Sequence, residues 1–339
     1  MPHTHLYGGV KRFIELGRIF NEAGHSFTLY TPHGIAPNWT RNDVRVASFD
    51  DLEKEYNDML FVTDRKYKNV LLNASARYKI FYHVSLHHKA RKMIMDKRFH
   101  IFACSSNVVR YDKLFFGRVP FLAAGGIDTD MFYPKKTIKT EKEDEFTILI
   151  YGRIHERVKG TRLVVKACEK LYKKYPFIRI VLFDTPVNSE MSMAIENFNT
   201  HVPFRFITNH PVEENAALFH QADIFVAAEK GAGWANTVAE AMACGIPVVA
   251  TRSGTADILI DEVTGIRVRR DVNSIAGGIR KLIMSPELRE KLSENGRIHI
   301  EKFTWQNLAG KILNWYDNKE NHAGSRRQEN KKEVSAVYS

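Results

Sequence analysis

From Asp223 to Thr255 the chain reads DIFVAAEKGAGWANTVAEAMACGIPVVATRSGT: apolar residues, then small ones, then an alanine-rich stretch and a run of valines. Residues 223–229 have the composition of a buried strand, and a helix is expected from Thr237. Between them lie Gly231, Ala232, Gly233, Trp234 and Ala235. Small residues let a ligand approach backbone N–H groups, and the N-terminus of the next helix adds donors with the positive end of its dipole. Residues 231–237, with Asn236 and Thr237 at the helix start, therefore form a candidate phosphate loop at the carboxyl edge of a parallel sheet. Glu240, expected in the first helical turn, can accept hydrogen bonds from ribose hydroxyls. Thr237-Val238-Ala239-Glu240 also has the spacing of a capping box, in which Thr237 and Glu240 satisfy backbone donors. Gly245 and Pro247 end the helix in either case.

A second candidate is YGRIHERVKGT, residues 151–161, between an expected strand at 146–151 and a helix. Arg153 and Lys159 would stand on the same sheet edge as the 231–237 loop. Two fixed cations beside a helix N-terminus suit a diphosphate and stabilise charge on a departing nucleoside diphosphate. Arg157 and Arg162 lie close by, so a solvated basic turn fits the same residues.

These residues need a scaffold of parallel strands. Strand-like segments at 26–32, 58–64, 78–85, 99–106 and 119–125 occupy the first half. Others at 146–153, 178–184, 204–210, 223–229, 246–252 and 265–269 occupy the second. Helical patterns separate most of them, which implies parallel α/β domains. Two helices are expected over about 272–302, and a last one starts with Thr304 as N-cap. The polar stretch 134–145 reads as a domain connection. The expected units are 1–128, 129–304, a C-terminal helix at 305–318 that can cross back to the first domain, and a disordered tail at 319–339. Gly8 and Gly9 precede a helix with Val10, Phe13, Ile14, Gly17 and Phe20 on one face, yet MPHTHLY has no strand character. The first domain is thus expected to lack its first, central strand. A late start, a truncated piece or a different build would each account for that.

The bulk composition agrees with this organisation. A chain of 339 residues suits two domains. Hydrophobic residues make up 44% and charged residues 26%, a globular balance. No apolar run reaches the roughly 18 residues of a membrane span, and no signal peptide is recognisable. Cys104, Cys168 and Cys244 are far apart, which argues against a disulfide framework or a zinc site and fits a reducing cytoplasm. The net charge of +11 favours anionic partners. No nucleic-acid-binding module is evident, so phosphorylated substrates and anionic lipid surfaces come first.

Three segments carry a resemblance: ILIYGRIHERVKGT, GGIDTDMFYP (125–134) and GWANTVAEAMACGIPVVATRSGT. Together they resemble the retaining family-4 glycosyltransferases, with similarity from Gly8-Gly9 to the final helix. The resemblance implies a GT-B fold, two Rossmann-like α/β domains facing a central cleft. It implies transfer of a sugar, with retention, from an NDP-sugar to a saccharide or lipid-linked acceptor, without a metal or other cofactor. Gly8 and Gly9 would then lie near the donor phosphates and acceptor. Arg153 and Lys159 match the basic pair on the diphosphate. Gly233, Trp234, Ala235, Asn236 and Thr237 would line the donor site, and Glu240 would bind the ribose. His83, with His87 and His88 as competitors, matches a histidine near the donor sugar. The basic stretch 87–99 would form a short helix able to rest on an anionic membrane, with Leu86, Ala90, Met93 and Ile94 on one side. That suggests a cytoplasmic protein at the inner membrane face.

Two departures stand out. The family carries two glutamates with seven residues between them, and counting back from Glu240 gives Ala232, with Glu229 three residues early. The Arg153-to-Lys159 connection is one residue longer than usual. A non-catalytic nucleotide-sugar binder or partner subunit, and a sugar-nucleotide epimerase, are the alternatives.

Overall fold

The computed structural model describes residues 8–39, 43–135 and 145–336, with side chains through residue 322. The MPHTHLY segment and most of the expected connection at 134–145 lie outside the described residues.

The first domain begins with α1 (Gly8–Glu22), whose Val10, Phe13, Ile14 and Phe20 are buried. Next come β1 (Thr28–Thr31), β2 (Arg45–Ser48) and α2 (Phe49–Leu52), then β3 (Tyr56–Val62), α3 (Lys68–Asn73) and β4 (Ser75–His83). The domain continues with α4 (Arg91–Ile94), β5 (His100–Ala103), α5 (Ser106–Phe116) and the short β6 (Phe121–Leu122). Strands β3-β4-β5-β6 form one parallel sheet, and β1 and β2 form a separate parallel pair. Sequence reading missed β2, a four-residue strand with only one fully buried position.

The second domain holds β7 (Phe146–Tyr151), α6 (Thr161–Tyr172), β8 (Ile178–Asp184), α7 (Ser189–Glu196), β9 (Phe204–Thr208) and α8 (Asn215–Phe219). It continues with β10 (Ile224–Ala227), α9 (Asn236–Ala243), β11 (Val248–Ala250), β12 (Ile266–Arg267), α10 (Val272–Met284) and α11 (Pro286–Ile300). Its six strands run parallel in the order β12-β11-β10-β7-β8-β9, with apolar clusters on both faces. A sheet covered on both faces needs strands that are apolar throughout, which is why Ile224-Phe225-Val226-Ala227 shows no polar alternation. The order reverses beside β7, and a crevice opens at the carboxyl ends of strands at such a point.

The chain passes between domains twice at one place. Gly126 and Ile127 donate their amides to the Phe303 carbonyl at 2.8 and 3.1 Å. Gly126 has φ +117°, and a Cβ there would sit 2.3 Å from the Trp305 ring. Helix α12 (Trp305–Ala336) then returns to the first domain, where Trp305, Leu308, Ala309 and Ile312 are buried with Val10, Phe13 and Tyr82. The expected disordered tail from Lys319 is corrected, because the helix runs on past that residue. Tyr78 Oη donates to Glu320 at 2.7 Å, and Arg77 pairs with the same carboxylate, which anchors the extra turn.

The basic stretch 87–99 is also different from expectation. It folds as a single 3-10 turn at His88–Ala90 followed by the one-turn α4. Ala90, Met93 and Ile94 are fully buried in the first domain's own core. Most of the apolar side of this stretch is therefore inside the protein.

Candidate active site

A cavity of about 290 Å³ lies at the carboxyl edge of the second sheet, with Lys11 of α1 reaching into its wall from the first domain. Strand β7 leads to Arg153, β8 ends on Asp184, and the turn beyond β10 carries Glu229. All three residues line the cavity, together with Lys159 and Glu240. The β7 and β10 turns touch at Gly160, whose φ is +74° and whose Cβ, if present, would lie 2.2 Å from the Ala228 carbonyl oxygen. Only glycine permits that approach, and it brings Lys159 beside Glu229.

The charged side chains are already paired with one another. Arg153, 4% exposed, donates through Nη2 and Nε to Asp184 Oδ1 at 2.9 and 3.2 Å. Lys159 Nζ reaches Glu229 Oε1 at 3.3 Å. Lys11 Nζ reaches Glu240 Oε1 at 2.9 Å. Between Arg153 and Lys159 stands Tyr151, its ring centroid 5.3 Å from one cation and 5.7 Å from the other. Burial, reinforced by Asp184, holds the Tyr151 phenol well above its ordinary range. Burial pulls Lys11 down, but Glu240 outweighs it through charge and hydrogen bond and leaves Lys11 above the ordinary lysine value. With Glu156 also on the wall, three cations face four carboxylates. An incoming diphosphate therefore has to compete with protein carboxylates for its partners.

Helix α9 starts at Asn236 with Ala235 as its N-cap, and no side chain caps its first amides. The capping box expected at Thr237 and Glu240 is therefore corrected. Thr237 is the second helical residue and Glu240 the fifth, in the second turn rather than the first, and its carboxylate goes to Lys11. Asn236 and Thr237 line the cavity at this uncapped end.

The rest of the 231–235 loop does something else. Gly233 is walled in by the first domain, since a Cβ there would lie 2.3 Å from the Val84 carbonyl oxygen and 2.5 Å from Cys104 Sγ. Ala232 bridges to Ser85, and Leu86 donates its amide to the Gly231 carbonyl at 3.2 Å. The amides of Ala232 and Ala235 are held by Ser253 Oγ at 2.8 Å and the Gly254 carbonyl at 3.0 Å. Gly233 thus packs against the first domain and Ala235 within the second domain's core, and neither lines the cavity. Trp234 does line it, with its indole N–H buried and unpartnered among the described residues. Gly8 and Gly9 are the first residues of α1 and stay off the cavity wall, where Lys11 takes the place expected of them.

His83 ends β4 and is 1% exposed, away from the cavity lining. Its Nδ1 lies 3.0 Å from both carboxylate oxygens of Asp112 on α5, and its Nε2 has no partner among the described residues. His87 and His88 are exposed, and burial of its ring still leaves His87 below the ordinary histidine value. Sequence reading missed Lys11, Asp112, Asp184 and Glu229 as site partners. Asp184 and Glu229 left a signal, each as an acidic residue ending a largely apolar run.

Residues 134–299 match the family described as Glycosyl transferases group 1. The chain is 26% identical over 209 residues to D-inositol 3-phosphate glycosyltransferase of Corynebacterium jeikeium, covering 57% of this chain and 50% of that protein. It is 25% identical over 228 residues to the capsular polysaccharide biosynthesis glycosyltransferase CapM of Staphylococcus aureus, covering 63% and 57%. The chain spans about half the length of the curated relatives it matches. Among solved structures, sucrose-phosphate synthase of Thermosynechococcus elongatus superposes with TM-score 0.77 at 18% identity, covering 95% of this chain and 96% of that one. HepE of Anabaena, solved with UDP and glucose, superposes with TM-score 0.75 at 12% identity, covering 94% and 98%. Residues 134–299 are thus similar to the Glycosyl transferases group 1 family, in a chain with the GT-B fold.

Proposed function

We propose that the chain transfers a sugar from an NDP-sugar to a hydroxyl of a saccharide or lipid-linked acceptor, with retention at the anomeric carbon. The observation that supports this is the convergence of Arg153, Lys159, Glu240 and the uncapped start of α9 on one cleft cavity between domains. Arg153 and Lys159 hold the diphosphate, the Asn236 and Thr237 amides add donors, and Glu240 takes the ribose hydroxyls once Lys11 turns to phosphate. As the bond from the anomeric carbon to the diphosphate breaks, the acceptor oxygen bonds to that carbon on the same face. Its proton passes to the departing phosphate oxygen. His83, buried against Asp112 and off the cavity wall, has no direct part in this reading. No resident metal or organic cofactor enters this reading. Membrane contact, if the acceptor is lipid-linked, is electrostatic, through exposed Lys89, Arg91, Lys92, Lys97 and Arg98.

The test incubates the chain with UDP-, GDP-, ADP- and dTDP-sugars and candidate acceptors, following nucleoside diphosphate release and the anomeric configuration of the product. Acceptor-dependent release with retention is the expected result. The engagement of Ala232 with Ser85, and of Glu229 with Lys159, favours one second reading, a nucleotide-sugar binder without turnover. Binding without acceptor-dependent release across all pairs would select that reading. An isomerised sugar nucleotide formed without acceptor would select an epimerase.

A further inference from the structure

A second hollow, of about 820 Å³, borders the turn beyond β10 and shares only Glu229 with the wall of the active-site cavity. The chain leaving β11 and β12 lines it, with Leu86 of the first domain. Its wall carries Lys230, Arg252, Arg267, Arg269 and Arg270 against the single carboxylate of Glu229, which Lys159 already holds at 3.3 Å. In the active-site cavity the balance is reversed, with three cations facing four carboxylates. Arg270 donates through Nε to the Ala228 carbonyl at 2.8 Å and through Nη2 to the Arg157 carbonyl. Arg267 Nη2 donates to the Leu259 carbonyl, while Asp261 takes the Arg267 backbone amide at 2.8 Å. A carbonyl oxygen orients a guanidinium without neutralising it. Asp271 faces Arg269 at 3.6 Å, with both side chains well exposed. Among the described residues, no carboxylate pairs with the side chains of Lys230, Arg252, Arg267 or Arg270.

Cations gathered on a concave wall without counter-charges raise the local potential and draw anions to it. Two hydroxyls add donors. Ser253 Oγ accepts from the Ala232 amide at 2.8 Å and Ser274 Oγ from the Arg269 amide at 2.9 Å, which leaves each hydroxyl proton to donate. Guanidinium forks, an ammonium and hydroxyls together suit the oxygens of a phosphate group. We propose that this groove is a second anion site, which takes the phosphate group of a soluble phosphorylated saccharide. The hollow is several times larger than a phosphate and lies in the size range of small-molecule sites. Its wall is largely polar, so the rest of the ligand is a polar body, which a saccharide supplies. A membrane surface does not fit, because a flat bilayer cannot enter a concave groove to which only Leu86 and Val268 bring aliphatic side chains.

The test titrates glucose 6-phosphate and inorganic phosphate into the full chain by calorimetry, with glucose as the uncharged control. The same titrations are run on Arg153→Met with Asp184→Asn, which disables the active-site cavity. Lys230 and Arg252 are exposed and have no side-chain partner among the described residues, so Lys230→Gln with Arg252→Gln leaves the fold intact. Both phosphates are expected to bind the wild type and the Arg153 variant, while glucose binds neither. Adding Lys230→Gln and Arg252→Gln to the Arg153 variant should weaken that binding by about tenfold or more. Unchanged affinity after that addition, or no phosphate binding in the Arg153 variant, would overturn the proposal. So would capture by phosphatidic acid vesicles while glucose 6-phosphate stays unbound, since the anion would then be a lipid headgroup. None of these readouts uses an NDP-sugar, so the site and the proposed transfer stand or fall separately.

Discussion

Lys11 of the first domain and Glu240 of the second meet at 2.9 Å across the cleft, with side chains 15% and 6% exposed. One ion pair therefore joins the two halves at the point proposed for the nucleotide ribose. Removing one partner of a buried pair strands the other charge, at a cost of about 3 kcal/mol. Lys11→Met is expected to lower the melting temperature, with differential scanning calorimetry as the check. The pH dependence has a definite sign. Because the folded pKa of Lys11 is raised above 10.5, its stabilisation is complete below that pH and is lost as pH climbs through the folded value. The gap in melting temperature between wild type and Lys11→Met should narrow in strongly alkaline buffer.

Arg153 acts on the fold as well as on the ligand. Its bidentate partner Asp184 is 4% exposed, so Arg153→Ala leaves a buried carboxylate unpaired. The variant is expected to lose about 3 kcal/mol of stability besides its diphosphate affinity. Arg153→Met combined with Asp184→Asn should regain most of the stability, as measured by urea unfolding. Affinity for nucleoside diphosphate, measured by calorimetric titration, should stay low. Recovery of affinity in the double variant would refute the role of Arg153 in binding.

Glu229 competes with the diphosphate for Lys159 through a single 3.3 Å contact. Glu229→Gln removes that competition, and nucleoside diphosphate is expected to bind about tenfold more tightly, or about 1.4 kcal/mol. Weaker binding would show that Glu229 contacts the ligand instead of restraining the lysine.

Glu240→Gln distinguishes ligand contact from helix capping. The fifth position of α9 lies outside a capping box, so a silent substitution is not expected. Nucleotide affinity should fall tenfold or more while UDP-free stability drops less than in Arg153→Ala. A thermal-shift series with increasing nucleotide reads both quantities.

Gly233→Ala tests the packing assignment. The added methyl would meet the Val84 carbonyl, which cannot swing aside as a side chain can. A loss of about 2 kcal/mol is expected from such overpacking, seen as a lower unfolding midpoint.

What the sequence determined by itself is the local chemistry. Apolar runs at 146–151, 178–184 and 223–229 fix buried parallel strands, because both faces of such a sheet exclude water. That Arg153 and Lys159 line the cavity was legible for the same reason, since both follow a strand at the sheet's carboxyl edge; Glu240 lines it from the second turn of α9. The partners of those residues were not legible. Lys11 lies 229 positions from Glu240, Glu229 lies 70 from Lys159, and Asp184 lies 31 from Arg153. No periodicity reports which charge another will face across a cleft. Tertiary structure alone decided that Glu240 neutralises a lysine rather than capping its helix, and that Gly233 packs against the first domain rather than against a ligand. Both outcomes depend on how closely two domains approach, and that distance is set by the sum of many weak contacts, written in no single segment.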